Sequence, residues 1–231
     1  MTYPKCLRKD KYALRKWARA HNVPVPVGYR PMVPRVGPNC ATLLKAVQKR
    51  AKIKQTGKFD DATLNLLYPS RKAEQFRKAV VAGYDKMKGS TVGGYWWKQI
   101  VAFAGLSGTA ARSEWCAATW QFVLKKSAGY NGPMPSNRNY VPDIEEFAKA
   151  HGIIVPFAKA KPGMTITFIW SGGRGVGNGD HIGIVLHNFG LAHQIATWEG
   201  NTGSPAEITH CWRAWYNVNT VSDMSKLLKE K

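Results

Sequence analysis

Residues 113–124 read SEWCAATWQFVL and place a single cysteine, Cys116, at the start of an apolar run with helical spacing. Further along the chain, residues 179–185 read GDHIGIV and residues 198–201 read WEGN. A cysteine, a histidine and an acid or amide, in this order, are the parts of a thiol nucleophile with its base and the group that orients the base. We therefore expect the fold to form around the helix that carries Cys116.

The sequence on either side of this stretch predicts an α+β fold with an antiparallel sheet. Residues 95–103 and 142–151 space their apolar side chains as helices do. After Pro162 the chain becomes rich in strand-forming residues, and the expected strands cover residues 164–170, 181–187, 194–198 and 211–218. Helices followed by a run of strands are typical of the α+β class.

The chemistry expected at Cys116 depends on the residues that the fold brings to it. Unpaired N–H groups at a helix start favour the thiolate, which is the nucleophilic form of cysteine. His181 opens a strand, and Gly183 leaves room on the same face. Glu199 and Asn201 lie two residues apart, so on an extended strand both side chains point the same way. Either could orient the imidazole while the other polarises the substrate, and both assignments stay open.

Two other kinds of site fit the sequence less well. A zinc site needs ligand pairs at short spacing, which the sequence does not provide. Its candidate ligands would be Cys116, Asp180, His181 and His187. The glycine-rich residues 172–179 lack the Gly-Lys-Ser/Thr ending of a phosphate-binding loop and precede a strand, which indicates a hairpin loop.

The charge of the chain favours polyanionic partners. Its 231 residues include 34 Lys and Arg against 14 Asp and Glu, a net charge of +20. Such a field attracts nucleic acid, anionic lipid or wall polymers, and the alternative is a solvated basic surface that keeps the protein soluble. Residues 5–35 carry nine of the cations, and residues 1–38 are expected to form a basic helix and a proline-rich tether.

Residues 39–70 predict two short helices joined by a glycine turn, with Asp60 as the cap of the second. The residues Val47-Gln48, Thr56-Gly57, Phe59-Asp60 and Thr63 resemble the peptidoglycan-binding domain family, a small three-helix bundle. The resemblance implies wall binding, and its candidate contacts are Gln48, Phe59, Asp60 and Thr63. An ordinary helical hairpin is the alternative.

Four motifs in the C-terminal part carry a stronger resemblance. In chain order they are Trp115-Cys116-Ala117, Lys161-Pro162-Gly163, DHIGIV at residues 180–185 and Glu199-Gly200-Asn201. They resemble the CHAP family, the cysteine, histidine-dependent amidohydrolases/peptidases. The resemblance implies a papain-like α+β domain and cleavage of peptidoglycan amide bonds. We expect this domain at residues 93–231, after a linker at residues 71–92, and the alternative is that the helix in this linker is the first helix of the domain.

The CHAP resemblance also implies the roles of the site residues. Cys116 is the expected nucleophile and His181 the expected base. Glu199 is the expected orienting group, and Asn201 an accessory polar group.

Two departures from the family pattern bear on these roles. Met164 stands where the family often has Asp, which affects a turn rather than catalysis. Residues 106–112 hold no acidic cluster, so the calcium loop of some family members is not expected. We therefore expect activity without a metal or a cofactor.

These patterns together predict a peptidoglycan hydrolase of the bacteriophage endolysin type, acting as a monomer on peptidoglycan and anionic wall polymers. We expect neither a membrane span nor a secretory signal, and the protein would stay in the host cytoplasm until lysis and then reach the wall. Nucleic acid is not an expected partner. Two alternatives stay open: a non-catalytic wall-binding protein and a basic nucleic-acid-binding protein. The bond that is cut and a Cys6–Cys40 disulfide also stay open.

Overall fold

The computed structural model divides the chain into two compact units, Met1–Lys72 and Ala73–Lys231. The residues that it describes are 8–29, 31, 36–113, 115–136, 139–170, 175–189 and 194–228. Cys6 and part of the expected proline-rich tether lie outside the described residues, so the question of a Cys6–Cys40 disulfide stays open.

The described part of the N-terminal unit contains the helices α1 (Arg8–Ala20), α2 (Pro38–Arg50) and α3 (Asp61–Leu67). The predicted cap at Asp60 is confirmed, because its side chain accepts a hydrogen bond from the backbone N–H of Thr63. The buried apolar residues form one small core, which consists of Leu14, Ala18, Val23, Val36, Cys40, Leu43, Leu44 and Val47.

The C-terminal unit begins with helices, as the apolar spacing predicts. They are α4 (Pro69–Lys86), of which the part from Ala73 belongs to this unit, α5 (Tyr95–Ala104), α6 (Gly108–Ser113), α7 (Trp115–Phe122) and α8 (Val141–Ala150). A π-helical turn, Val123–Ser127, continues α7. None of the described helices is both long and apolar enough to cross a membrane.

Residues 71–92 follow the alternative expectation, a first helix of the C-terminal unit, rather than the expected linker. Phe76, Val80 and Tyr84 of α4 are buried in the main core of the C-terminal unit, along one helical face. The glycines at residues 89–94 mark a turn inside the unit, whereas the boundary lies at Lys72. A helix that buries an apolar face is part of a fold, because that face needs a partner surface.

Five antiparallel strands follow, and the predicted α+β class is confirmed. They are β1 (Thr165–Phe168), β2 (His181–Phe189), β3 (Gln194–Thr202), β4 (Glu207–Ala214) and β5 (Val218–Ser222), in the order β4-β3-β2-β1-β5. The order follows from hairpin connections between successive strands, with β5 returning to the free edge of β1. A helix-on-sheet arrangement of this kind is compatible with a papain-like fold.

The helix that carries Cys116 is the centre of the C-terminal core. All eight residues of α7 are buried, and the helix packs against β2, β3 and α5. The indole Nε1 of Trp120 donates a hydrogen bond to Oγ1 of Thr165 at 2.8 Å, which ties the helix to β1. A fully buried side chain of this size contributes about 2–3 kcal/mol through its apolar surface. The position of Cys116 against the strands is therefore set by a well-packed helix.

Candidate active site

Cys116 lies at the second residue of α7, where the backbone N–H groups have no partner within the helix. The residue is 7% exposed, and its side chain hydrogen-bonds the side chain of His181. The structure thus brings together two residues that lie far apart in the sequence, as predicted for a nucleophile and its base.

His181 is the first residue of β2 and links Cys116 to Glu199. Its Nε2 lies 3.0 Å from Oε2 of Glu199. The imidazole also has a side-chain hydrogen bond with Cys116. The imidazole therefore bridges the thiol and the carboxylate, which is the geometry of a thiol nucleophile with an oriented base.

Glu199 is fully buried and receives hydrogen bonds at both carboxylate oxygens. Oγ1 of Thr197 donates to Oε1 at 2.6 Å, and Nε of Arg213 donates to the same oxygen at 2.9 Å. Nη2 of Arg213 donates to Oε2, the oxygen that also faces His181. A buried carboxylate is stable only when it is paired in this way.

The electrostatics of the site favour the charged forms of both His181 and Glu199. Burial by itself lowers the pKa of His181, but the hydrogen bonds and charges of Cys116 and Glu199 outweigh it and raise the pKa from 6.5 to about 9. Burial likewise raises the pKa of Glu199, and the hydrogen bonds from Arg213 and His181 outweigh it and lower the pKa from 4.5 to about 2. At neutral pH the site therefore holds an imidazolium and a carboxylate.

An open cleft of about 290 Å³ reaches the His181 end of this arrangement. It is lined by Trp170, His181, Asn201, Thr202, Gly203 and Arg213. Asn201 has a φ of 61°, and the pairing of β3 with β4 is irregular between Glu199 and Thr202. The expectation that Glu199 and Asn201 extend from a regular strand is therefore wrong. Glu199 lies against His181, and Asn201 lies on the cleft wall.

Two glycines allow the elements of the site to approach each other. A Cβ at Gly183 would lie 2.5 Å from the carbonyl oxygen of Trp198 and 2.8 Å from Cγ of Glu199. A Cβ at Gly200 would lie 2.5 Å from Oγ1 of Thr119 on α7. The room predicted beside Gly183 is filled by Glu199, and Gly200 lets β3 pack closely on the cysteine helix.

The loop before His181 is held by a carboxylate that the sequence analysis did not single out. Oε2 of Glu145, which is 1% exposed on α8, accepts hydrogen bonds from the backbone N–H groups of Gly177 at 2.8 Å and Gly179 at 3.1 Å. The sequence does contain a pattern that indicates a buried role for Glu145. It shares a helical face with Val141 and Ala148, and an acid is unusual on such an apolar face.

Other residues near the site also escaped sequence analysis. Arg213 carries the clearest signal, because it is the only Lys or Arg in residues 175–225 of a chain that has 34. Tyr84 lies behind the site, where burial first, and then the charges of Cys116 and Glu199, raise its pKa well above the usual value. Nothing in the sequence around Tyr84 indicates this position.

Asp180 and His187, two of the candidate ligands of the alternative zinc site, make other contacts. Oδ2 of Asp180 accepts a hydrogen bond from the backbone N–H of Trp170 at 2.8 Å, and His187 is exposed against the ring of Phe189. Within the part of the chain that the structure describes, no group of three or more His, Cys, Asp or Glu is arranged to hold a metal ion.

The four residues predicted to contact the wall form an internal network in the N-terminal unit. Gln48 and Thr63 are 0% exposed, and Nε2 of Gln48 donates to Oγ1 of Thr63 at 2.7 Å. Its Oε1 accepts from the backbone N–H of Gly57, and Asp60 accepts from Thr63. Phe59 packs against the unit's core. Direct wall contact by Gln48 and Thr63 is therefore wrong, because solvent does not reach them.

Comparison of the sequence with protein-family models and with curated proteins gives no match. Among solved structures, the peptidoglycan hydrolase RipB from Mycobacterium tuberculosis is similar, with a TM-score of 0.43 and 14% identity over 96% of this chain and 84% of that one. A similarity of this degree carries no argument about function.

Proposed function

We propose that this protein is a cysteine-dependent peptidoglycan hydrolase that cleaves an amide or peptide bond of the bacterial wall. The observation that carries the proposal is the contact chain from Cys116 through His181 to Glu199 beside an open cleft. A thiol, an imidazolium and a buried carboxylate in contact are the groups that acyl transfer requires. The finer proposal, a CHAP-type endolysin released into the wall at lysis, is supported by the four sequence motifs.

The proposed reaction begins with attack of the Cys116 thiolate on the amide carbonyl carbon, which forms a C–S bond. In this reaction, backbone N–H groups at the start of α7 would stabilise the oxyanion. The imidazolium of His181 donates its proton to the leaving nitrogen, and the C–N bond breaks. Neutral His181 then takes a proton from water, the hydroxide attacks the thioester, and the thiolate leaves. Glu199 keeps the imidazole oriented throughout.

The N-terminal unit would bring the enzyme to its substrate through charge. Residues 1–72 hold 17 Lys and Arg against three Asp and Glu, a net charge of +14. Six exposed cations lie close together in sequence on α2 and the turn after it, namely Lys45, Lys49, Arg50, Lys52, Lys54 and Lys58. A surface of this kind attracts anionic wall polymers over a range that salt shortens.

Loss of turbidity of purified cell walls tests the proposal. Wild type is expected to clear the walls, and Cys116→Ala is expected to leave them intact, because it removes only the nucleophilic sulfur. His181→Ala tests the proposed base in the same assay. Its matched control is His187→Ala, since His187 lies on the same strand but is exposed. Clearing by Cys116→Ala at the wild-type rate would exclude the thiol mechanism. Mass spectrometry of the fragments then distinguishes amidase from endopeptidase products.

The charge of residues 1–72 also supports a second candidate function, nucleic-acid binding. A net charge of +14 in 72 residues attracts any polyanion. Titration with duplex DNA and with purified anionic wall polymer at matched ionic strength separates the two. Preference for DNA that persists at high salt, together with intact walls, would favour the second candidate.

A further inference from the structure

Arg213 is a cation that lines the cleft of the candidate site. It lies on β4, and its guanidinium forms a two-pronged contact with Glu199, with Nε donating to Oε1 at 2.9 Å and Nη2 donating to Oε2. A planar fork of this kind fixes the orientation of a carboxylate as well as its charge. Arg213 thus contacts both oxygens of Glu199, and one of them, Oε2, also lies 3.0 Å from Nε2 of His181.

The guanidinium is itself held in place by its surroundings. Its Cζ lies 4.8 Å from the ring centre of Trp170 and 5.7 Å from that of Phe168, which places the cation against aromatic rings. Nη2 also donates to Oγ1 of Thr202 at 3.1 Å. The side chain is only 22% exposed, so little water competes for the contact. The guanidinium position is therefore set by several elements at once.

Glu199 needs such a partner because it is 0% exposed. Without a cation, a carboxylate in this place would take up a proton or turn toward solvent, and either change would release Nε2 of His181. Thr197 supplies one further hydrogen bond, which carries no charge. Arg213 is thus the group that lets a charged carboxylate persist under the imidazole.

We propose that Arg213 is a positioning residue of the hydrolase: it holds Glu199 in the rotamer and the charge state that direct His181 toward Cys116. The proposal rests on the proposed function, because it assigns Arg213 a part in the same reaction. Arg213 also lines the cleft, but its charge is already matched by Glu199. We therefore assign Arg213 the role of orienting the base. The alternative, that Arg213 binds an anionic group of the substrate, is tested by the same experiment.

Three variants of the full-length chain test the proposal. Arg213→Gln removes the cation, and Arg213→Lys keeps a cation but loses the fork. Arg77→Gln is the matched control, because it removes another little-exposed ion pair of the same unit. In that pair Nη1 of Arg77 contacts Oδ2 of Asp223 at 3.1 Å. Thermal melting identifies any variant that does not fold.

The main measurement is the rate at which iodoacetamide alkylates Cys116, followed by peptide mass spectrometry from pH 4 to 10. It needs no wall substrate, so it reports on the site whether or not the protein is a hydrolase. Burial raises the pKa of Cys211 to about 11, which keeps that thiol a poor competitor. Arg213→Gln should lower the rate of Cys116 alkylation at pH 6 by about 10- to 100-fold. It should also move the acid limb of the pH–rate profile, the range in which the rate rises with pH, to higher pH.

The second variant and the control separate positioning from a structural role. Arg213→Lys should keep the acid limb near that of wild type and lower the rate by about tenfold, because the charge remains while the fork is lost. Arg77→Gln should leave the alkylation profile unchanged. If Arg213→Gln does not fold, the Arg213→Lys profile decides the question.

The proposal is overturned if Arg213→Gln, or Arg213→Lys where the former does not fold, alkylates as wild type does. It is also overturned if the alkylation profile is normal and only KM for wall fragments rises, since Arg213 would then bind substrate. An Arg213-dependent profile in a protein that leaves walls intact would support the positioning role and refute the hydrolase.

Discussion

The two units of this protein each bury a polar network, and the two networks differ in how they end. In the N-terminal unit, Gln48, Thr63 and Asp60 bond to one another and to the turn between α2 and α3. In the C-terminal unit, the chain of contacts from Glu199 through His181 ends at the thiol of Cys116, and His181 also lines a cleft.

The presence or absence of reactive groups separates a structural network from a proposed catalytic one. Both contain a carboxylate that accepts several hydrogen bonds, and the pKa of Asp60, like that of Glu199, is lowered by its donors against the effect of burial. Only the second network includes a histidine whose pKa is raised to about 9 and a nucleophile. A satisfied network stabilises a loop, whereas one with a reactive end can perform chemistry.

The largest expected difference comes from neutralising the carboxylate of each network. Glu199→Gln should lower the rate of wall cleavage by roughly 10²- to 10⁴-fold, because the imidazole loses the charge that orients it and keeps it protonated. Asp60→Asn makes the same chemical change and should leave turnover at saturating wall concentration unchanged. Initial rates corrected for the folded fraction measure both. Equal losses in the two variants would erase the distinction between the networks.

A smaller effect is expected on the stability of the N-terminal unit. Gln48→Leu leaves the backbone N–H of Gly57 without its buried partner and removes one hydrogen bond to the hydroxyl of Thr63, which keeps its bond to Asp60; the change should cost about 1–3 kcal/mol. Native-state hydrogen exchange of the α2 amides measures this cost in the full chain. The rate of Cys116 alkylation should not change. Slowed alkylation would show that the N-terminal network contributes to the active site.

The smallest effect is the pH dependence of the catalytic network. Activity should fall about tenfold per pH unit above pH 9, because His181 must carry the proton that the leaving nitrogen receives. Initial cleavage rates from pH 5 to 10.5 measure this limb. A limb centred near 6.5 would show that Glu199 does not keep His181 protonated.

The same shifts set a window for stability. His181 has its pKa raised from 6.5 to about 9, so its contribution is complete below pH 6.5 and is lost as the pH rises through 9. Glu199 has its pKa lowered from 4.5 to about 2, so its contribution is complete above pH 4.5 and is lost as the pH falls through 2. The Tm difference between wild type and Glu199→Gln should therefore be greatest between pH 4.5 and 6.5.

Local sequence patterns predicted most elements but not the division of the chain. The spacing of apolar residues predicts α5 and α8, and Asp60 marks the start of α3. At residues 71–92 the sequence did not decide, since the basic residues and glycines suggest a linker while the apolar face, which is buried, suggests a helix of the domain. A helical face looks the same in sequence whichever core it enters, because only contacts between distant residues define a core.

Local patterns in the sequence were enough to predict the helix that carries Cys116 and the strands that carry His181 and Glu199. These follow from side-chain periodicity and residue type, which are local properties. The tertiary structure alone showed that Oε2 of Glu199 lies 3.0 Å from Nε2 of His181, and that Asn201 lines the cleft with a left-handed backbone. It alone brought Arg213 to Glu199 and kept Gln48 away from solvent. Such contacts join residues across strands and turns, and their geometry depends on register and packing that no single segment encodes.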